Sequence, residues 1–358
     1  MDAVHPSSPP IDFASLSGEP LGMTNSIDEG ARLIQQVLAE LGWNGDASVI
    51  AANVRRLDQG LPAEDEFTAV CAWLGQTELL HKLDQHQSPA SSLTRYQVPD
   101  LLAHFAAGGP FLIEVKAKKT QTLSFRPDYH QRLRAHADLL GMPLLIAWKY
   151  HAVWTLFDIR HMKKRHKNFN ITFGEALKEN LLGVLAGDVA YTIEAGAGVS
   201  FRFRKEQLLD VTHDEESTIE QWQMRVDQVH FTRAGGVPAT DLAPEVATLF
   251  TTWDLEQSEV HSPTHVDVAF RAGAEGSMFG HMALVHLLNW VQPAGEPINW
   301  RHAIRRDEVV ANMTNFVQAL ERGLQQKVVR YIFRQQPQTW PDFLPARPSS
   351  TALDPSRE

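Results

Sequence analysis

Tyr96–Ala117 reads YQVPDLLAHFAAGGPFLIEVKA, and the rest of the chain is organised around it. Within it, residues 111–117 (FLIEVKA) form an apolar run broken at alternate positions by Glu114 and Lys116. Strand side chains repeat every second residue, so the two charges share one face and Val115 takes the other. Gly108-Gly109-Pro110 supplies a turn signal directly upstream. Fourteen residues before Glu114 stands Asp100, directly after Pro99 and at the end of a strand-like run over Thr94 to Val98. A hairpin between these runs brings Asp100 close to Glu114. Two carboxylates and an ammonium converging at a strand pair make a site for a hard divalent cation. Such an ion binds phosphate oxygen and lowers the pKa of its water, while a lysine orients that water or neutralises developing charge. That is what phosphodiester hydrolysis needs. Each piece also has a plainer reading: charges two apart are common on exposed strand faces, and Pro-Asp is ordinary turn chemistry.

Pro99-Asp100 and Glu114-Val115-Lys116 together resemble the PD-(D/E)XK signature of the restriction-endonuclease-like nucleases, a superfamily that includes Holliday-junction resolvases. The resemblance covers roughly residues 60 to 170. It implies an α+β (α/β) fold in which a mixed sheet, in strand–strand–helix–strand order, is flanked by helices. It also implies metal-dependent hydrolysis of DNA. Asp100 and Glu114 would hold Mg²⁺ or Mn²⁺ with help from the Val115 carbonyl, and Lys116 would hold or activate the water.

In relatives, the helix before the core sheet often lends a glutamate to the metal, and Glu66 is the match. A polar residue on the following helix, frequently Gln, faces the site, and Gln131 is the match. Glu66 shares its helical turn with Glu64 and Asp65, where dipole compensation is itself a sufficient reason for acids. Gln131 equally suits a solvated helix face. Nucleases that cut both strands commonly act as two-fold dimers, so a homodimer is expected. Duplex, junction, single strand and RNA all stay open as substrates, as do restriction, phage defence, repair and recombination as processes. A rival reading keeps the nuclease fold as a catalytically inactive nucleic-acid-binding or scaffold protein. The complete Asp/Glu/Lys set argues against it.

The net charge of -10 over 358 residues is misleading until it is divided. Residues 116–170 hold twelve Lys/Arg against three acids, a local +9 that leaves -19 elsewhere. Lys118, Lys119, Arg160, Lys163, Lys164, Arg165 and Lys167 are the candidate phosphate contacts, on the segment that carries the metal motif. The one cysteine, Cys71, excludes a disulfide framework or a cysteine-rich zinc site. No run approaches a membrane span, and the N-terminus has acid and proline where a signal peptide needs basic and then apolar residues. The chain reads as soluble and cytoplasmic, with no membrane partner. It has no H-E-x-x-H, no G-x-S-x-G and no P-loop, and Gly196 to Gly198 lacks the third glycine of a dinucleotide fingerprint.

Four stretches follow from the patterning. Residues 1–60 comprise a mobile Pro/Ser-rich start and two helices, about 26–41 and 47–57. Residues 61–190 are the nuclease core: a helix from Pro62 with Phe67, Val70, Cys71 and Leu74 on one stripe, a strand near 79–83, a helix from Pro127, strands over PLLIAWK and AVWTLFD, and a helix over 171–186. Residues 191–345 start as strands (YTIEAGAGVSFRFRKEQ and WQMRVDQVHFTR) and continue as helices over 245–255, 278–290 and 308–333. Residues 346–358 are a mobile tail, which already loses pattern from about Gln335.

Overall fold

The computed structural model of the protein describes residues 63–84, 87–213, 218–291 and 316–347. The N-terminal helices expected over 26–41 and 47–57, and the tail from 348, lie outside the described residues.

Helix α1 (residues 63–74) buries Phe67, Val70, Cys71 and Leu74, the stripe expected from their spacing, together with Trp73. Gly75 ends it in a left-handed conformation at φ 79°. Five strands follow: β1 (Thr77–Lys82), β2 (Leu101–Phe105), β3 (Gly108–Ala117), β5 (Leu144–Tyr150) and β6 (Val153–Asp158). They form one sheet in the order β1-β2-β3-β5-β6. Of the neighbours in this sheet, only β3 and β5 run parallel. Parallel neighbours need a crossover, and here β4 (Thr122–Phe125) and helix α2 (Pro127–Leu140) provide it.

Alternation along β3 sorts its side chains. Phe111, Ile113 and Val115 enter a core shared with α1, while Leu112 enters a second core with Leu133 and Ala137 of α2. Glu114 and Lys116 follow the parity of Leu112 and so sit on the α2 side, as the period-two pattern requires.

The hairpin differs from its sequence reading in two respects. Thr94 to Val98 is not a strand: Ala90–Thr94 is a 3₁₀ turn, and the strand paired with β3 begins after Asp100. Leu101, Ala103 and Phe105 supply the inward alternation, whereas Pro99 offers no ladder donor. The turn itself is Ala106-Ala107, and the glycines open β3. Gly109, at φ 150°, passes so close to β2 that a Cβ would lie 3.1 to 3.3 Å from His104 and Ala103.

After β6, the basic stretch becomes β7 (Lys163–Arg165) and β8 (Asn168–Thr172), which pair with β4 in a small sheet, β4-β8-β7. The single helix expected over 171–186 is two short ones, α3 (Phe173–Lys178) and α4 (Leu182–Leu185). Thr172 and Glu175 form a capping box at the first. Asn180 breaks the run by turning its Oδ1 to the N–H groups of Leu156 and Leu182 at 2.9 and 3.1 Å.

Beyond residue 190 come β9 (Ala190–Ile193) and the two long strands β10 (Gly198–His213) and β11 (Thr218–Arg233). The latter belong to an antiparallel sheet with β12 (Val237–Ala239), β13 (Glu256–His261) and β14 (His265–Arg271), in the order β12-β11-β10-β14-β13. A short helix α5 (Pro244–Thr248) precedes β13. Strand β15 (Met278–Phe279) leads into helix α6 (Gly280–Val291), and α7 (Phe316–Gln325) into β16 (Val329–Phe333). The helix expected over 308–333 thus gives way to a strand, where Val328, Val329, Tyr331, Ile332 and Phe333 favour extended backbone. Strands β15, β9 and β16 make a third sheet. One core cluster runs from Phe67 through Leu145, Tyr191 and Leu249 to Leu344, so elements on both sides of residue 190 share it.

Candidate active site

In the β2–β3 register Leu101 faces Ile113. This sets Asp100, at the entrance of β2, beside Glu114–Lys116. Asp100 Oδ2 accepts the Val115 N–H at 2.7 Å. Lys116 Nζ lies 3.9 Å from the same oxygen and donates to the Val115 carbonyl at 3.0 Å. It also bonds Glu114 Oε1, which at the same time accepts the hydroxyl of Tyr129 from α2. The Glu114 side chain is 2% exposed. Its second oxygen, Oε2, is buried with no hydrogen-bond partner among the described residues.

Electrostatics single out Asp100. Burial pushes the Asp100 carboxyl up to about 7, and the negative charge of Glu114 adds to the push; Lys116 and the Val115 N–H pull the other way without prevailing. Burial disfavours the Lys116 ammonium, but Glu114 and Asp100 outweigh it and hold the pKa above the usual lysine range. Tyr129 keeps its proton well above the usual phenol range, through burial first and then the adjacent Glu114 charge. It therefore serves as a donor to Glu114.

The remaining expected residues fall unevenly around this centre. Glu66 is turned away from it: one oxygen pairs with Lys149 at 2.5 Å and the other accepts Trp154 Nε1–H at 3.0 Å, which closes its bonding. Glu64, in the first turn of α1, senses the site. Burial and then the Asp100 charge raise its pKa. Its carboxylate lies 3.2 Å from Lys82, which also holds Asp65 at 2.5 Å.

Gln131 is exposed in a groove with Arg95, Tyr96 and Arg132, and the helix does not carry it to Glu114. Two residues along a helix rotate about 200°, so Tyr129 and Gln131 occupy opposite sides. The sequence held a signal for Tyr129: it precedes the buried Leu133 and Ala137 by four and eight residues and thus shares their face.

Lys118, Lys119, Lys163, Lys164, Arg165 and Lys167 are all exposed, the last four on the β7–β8 hairpin. Arg165 pairs with Glu175 at 3.0 Å. Arg160 is committed elsewhere: Nε holds Asp158 at 2.8 Å, and its two terminal nitrogens grip Asp342 at 2.9 and 2.6 Å. The segment after Gln335 is thereby docked, with Phe343 packed 5.5 Å from Phe111.

The donor set fits a hard cation. Asp100, the Glu114 oxygen with no partner among the described residues and the Val115 carbonyl all offer oxygen donors. No cluster of three or more His, Cys, Asp or Glu suited to a metal occurs among the described residues. Two carboxylates match Mg²⁺, which keeps several waters and takes further oxygens from substrate phosphate. A closed zinc site would require nitrogen or sulfur.

The sequence profile of the archaeal Holliday junction resolvase (hjc) family matches residues 86–185. Among solved structures, the Holliday junction resolvase Hjc of Archaeoglobus fulgidus is similar at 23% identity, over 30% of this chain and 86% of that one, with a TM-score of 0.25. No curated protein matches the chain. No helix among the described residues is long and apolar enough to cross a membrane. Residues 86–185, which hold the Pro-Asp and Glu-Val-Lys motifs, are thus similar to the archaeal Holliday junction resolvase family.

Proposed function

We propose that this chain is a divalent-metal-dependent endonuclease acting on DNA, with residues 61–190 as its catalytic module. Residues 191–345 would govern substrate choice and self-association as a homodimer. The observation that carries the reading is Glu114 Oε2, a buried carboxylate oxygen with no hydrogen-bond partner among the described residues, beside Asp100 and Lys116. Leaving such a group unsatisfied costs about 1–3 kcal/mol or more, which a bound ligand would recover.

Mg²⁺ or Mn²⁺ held by Asp100, Glu114 and the Val115 carbonyl would polarise a phosphate oxygen and acidify a bound water. The chain's own groups do the rest. Tyr129 and Lys116 both engage Glu114 Oε1, which fixes the carboxylate plane and leaves Oε2 for the ion. Lys116 carries a proton at neutral pH, orients the attacking water and offsets charge gathering on the phosphate. Lys118, Lys119, Lys163, Lys164, Arg165 and Lys167 hold flanking phosphates, which positions DNA without reading its sequence. Arg160 is left out of that set because Asp158 and Asp342 occupy it. Branched DNA is favoured as the substrate because residues 86–185 match a family of junction resolvases.

The test is cleavage by the full chain of a four-way junction, linear duplex, plasmid, single strands and RNA, each with Mg²⁺, Mn²⁺, Ca²⁺ or chelator. The junction should be cut in Mg²⁺ and Mn²⁺, remain intact in chelator and be bound without turnover in Ca²⁺. Binding with no cleavage of any substrate would favour the non-catalytic scaffold reading instead.

A further inference from the structure

Strand β16 is an edge of the β15-β9-β16 sheet, and its side chains divide by use. Val329 is buried and Ile332 packs on the core. Tyr331 and Phe333, two apart and so on one face, stand 36% and 50% exposed with ring centroids 4.8 Å apart. Arg330 brings its guanidinium 5.9 Å from the Tyr331 ring. Arg334 is exposed at the end of the strand, and neither arginine has an ion-pair partner among the described residues. Residues 323–334 carry Lys327, Arg330 and Arg334 and no acid, a second positive island in an otherwise acidic part of the chain, while Arg322 just before them is held by Glu245 at 2.6 Å.

Exposed rings are covered by an apolar face, flat aromatic ones above all, and the guanidinium groups beside them favour an anion. A nucleotide unites both requirements: its base stacks on the ring, and its phosphate meets the arginine. A neutral apolar peptide would satisfy the rings and leave the two cations unused.

We propose that Tyr331 and Phe333 form a stacking platform for unpaired nucleotides, with Arg330 and Arg334 on the adjoining phosphates. This rests on, and deepens, the reading of the chain as a DNA-acting protein: a flapped or partly melted substrate presents the unpaired bases that such a platform takes. Tyr331 and Phe333 lie outside the Glu114 centre, so binding here is separable from cutting.

Equilibrium binding of a labelled oligothymidine to the full chain in chelator, where no cleavage runs, tests it. A parallel oligouridine arm distinguishes DNA from RNA as the source of the bases. Tyr331→Leu with Phe333→Leu keeps apolar side chains and removes the rings; binding should weaken at least about tenfold, since each stacked base contributes a comparable factor. Phe333→Trp should retain binding. Arg330→Ala with Arg334→Ala should lower the salt slope by about 1.4, or about 0.7 for each single-strand phosphate set free. Unchanged oligonucleotide affinity in the folded double-leucine protein would overturn the proposal, and so would a loss confined to self-association. A wild type that binds the oligonucleotide through this face but cuts nothing would sink the nuclease reading and leave the platform standing.

Discussion

Two buried polar clusters lie in the same body of the protein and are built to opposite ends. On the α2 side of β3, Glu114 shares one oxygen between Lys116 and Tyr129 and leaves the other without a partner among the described residues. Elsewhere, Asp188 and His281 close on each other completely. Asp188 Oδ2 meets His281 Nδ1 at 2.8 Å, Asp188 Oδ1 accepts the His281 backbone N–H at 3.1 Å, and Nε2 accepts Trp154 N–H at 3.1 Å. These bonds assign the neutral tautomer with its proton on Nδ1. They tie the first turn of α6 to β6, so the dyad is a brace. Glu66 with Lys149 and Trp154 is closed in the same way. A buried polar group that is satisfied holds the fold together. One that stays unsatisfied calls for an explanation, which the proposed cation supplies at Glu114.

The largest expected effect tests the open cluster. Asp100→Asn should abolish cleavage and most of the rise in melting temperature that millimolar Mg²⁺ or Mn²⁺ gives the wild type. The same change should not harm the metal-free fold. Asp100 titrates at about 7 in the folded chain against the ordinary 3.8 of an aspartate, so the folded state holds this proton more tightly than the unfolded state. Its contribution to stability is therefore full below about pH 4, is lost between 4 and 7 and stays flat above. At pH 8 without metal, Asp100→Asn should melt at or above the wild type. Retention of the full metal-dependent shift would place the ion away from Asp100.

Next in size is Lys116→Ala, which should cut the cleavage rate by about 10² to 10⁴. Because Lys116 is the cationic partner of a carboxylate only 2% exposed, the variant should also lose some stability. Wild-type rates of junction cleavage would end its assignment to the reaction.

Asp188→Ala probes the closed cluster and should have the reverse profile. Removing one side of a buried pair costs roughly 2–4 kcal/mol, read by urea unfolding, while cleavage per folded molecule stays at the wild-type rate. A selective loss of cleavage at unchanged stability would erase the distinction between brace and site.

The smallest effect sharpens it. Tyr129→Phe removes one donor from Glu114 and keeps the ring, so calorimetric Mn²⁺ affinity should fall about 10- to 100-fold, as when an outer partner of a metal ligand is removed. Gln131→Ala, on the far side of α2, should leave that affinity where it is.

Much of this was legible in the chain. FLIEVKA announced a strand with both charges on one face because the period of two is a property of extended backbone, whatever surrounds it. The stripe Phe67, Val70, Cys71 and Leu74 announced α1 for the same kind of reason. The strands flanking Tyr150-His151 and the long pair around residues 214–217 were equally plain from alternation. Local pattern misled where a neighbour decided instead. Asn180 splits a helix by bonding to β6, and Val329–Phe333 leaves the helical period to join β9.

The division at the site follows the same physics. Sequence alone determined which residue types meet: Asp100, Glu114 and Lys116, through a short hairpin whose spacing leaves few arrangements. Which groups complete or abandon them was decided by tertiary packing. Glu66 goes to Lys149, 83 residues away, Arg160 to Asp342, 182 residues away, and Tyr129 displaces Gln131. Partners separated by such distances along the chain meet only when sheets and helices close on one another. A one-dimensional pattern carries side-chain direction within an element, and only the folded chain says what that direction faces.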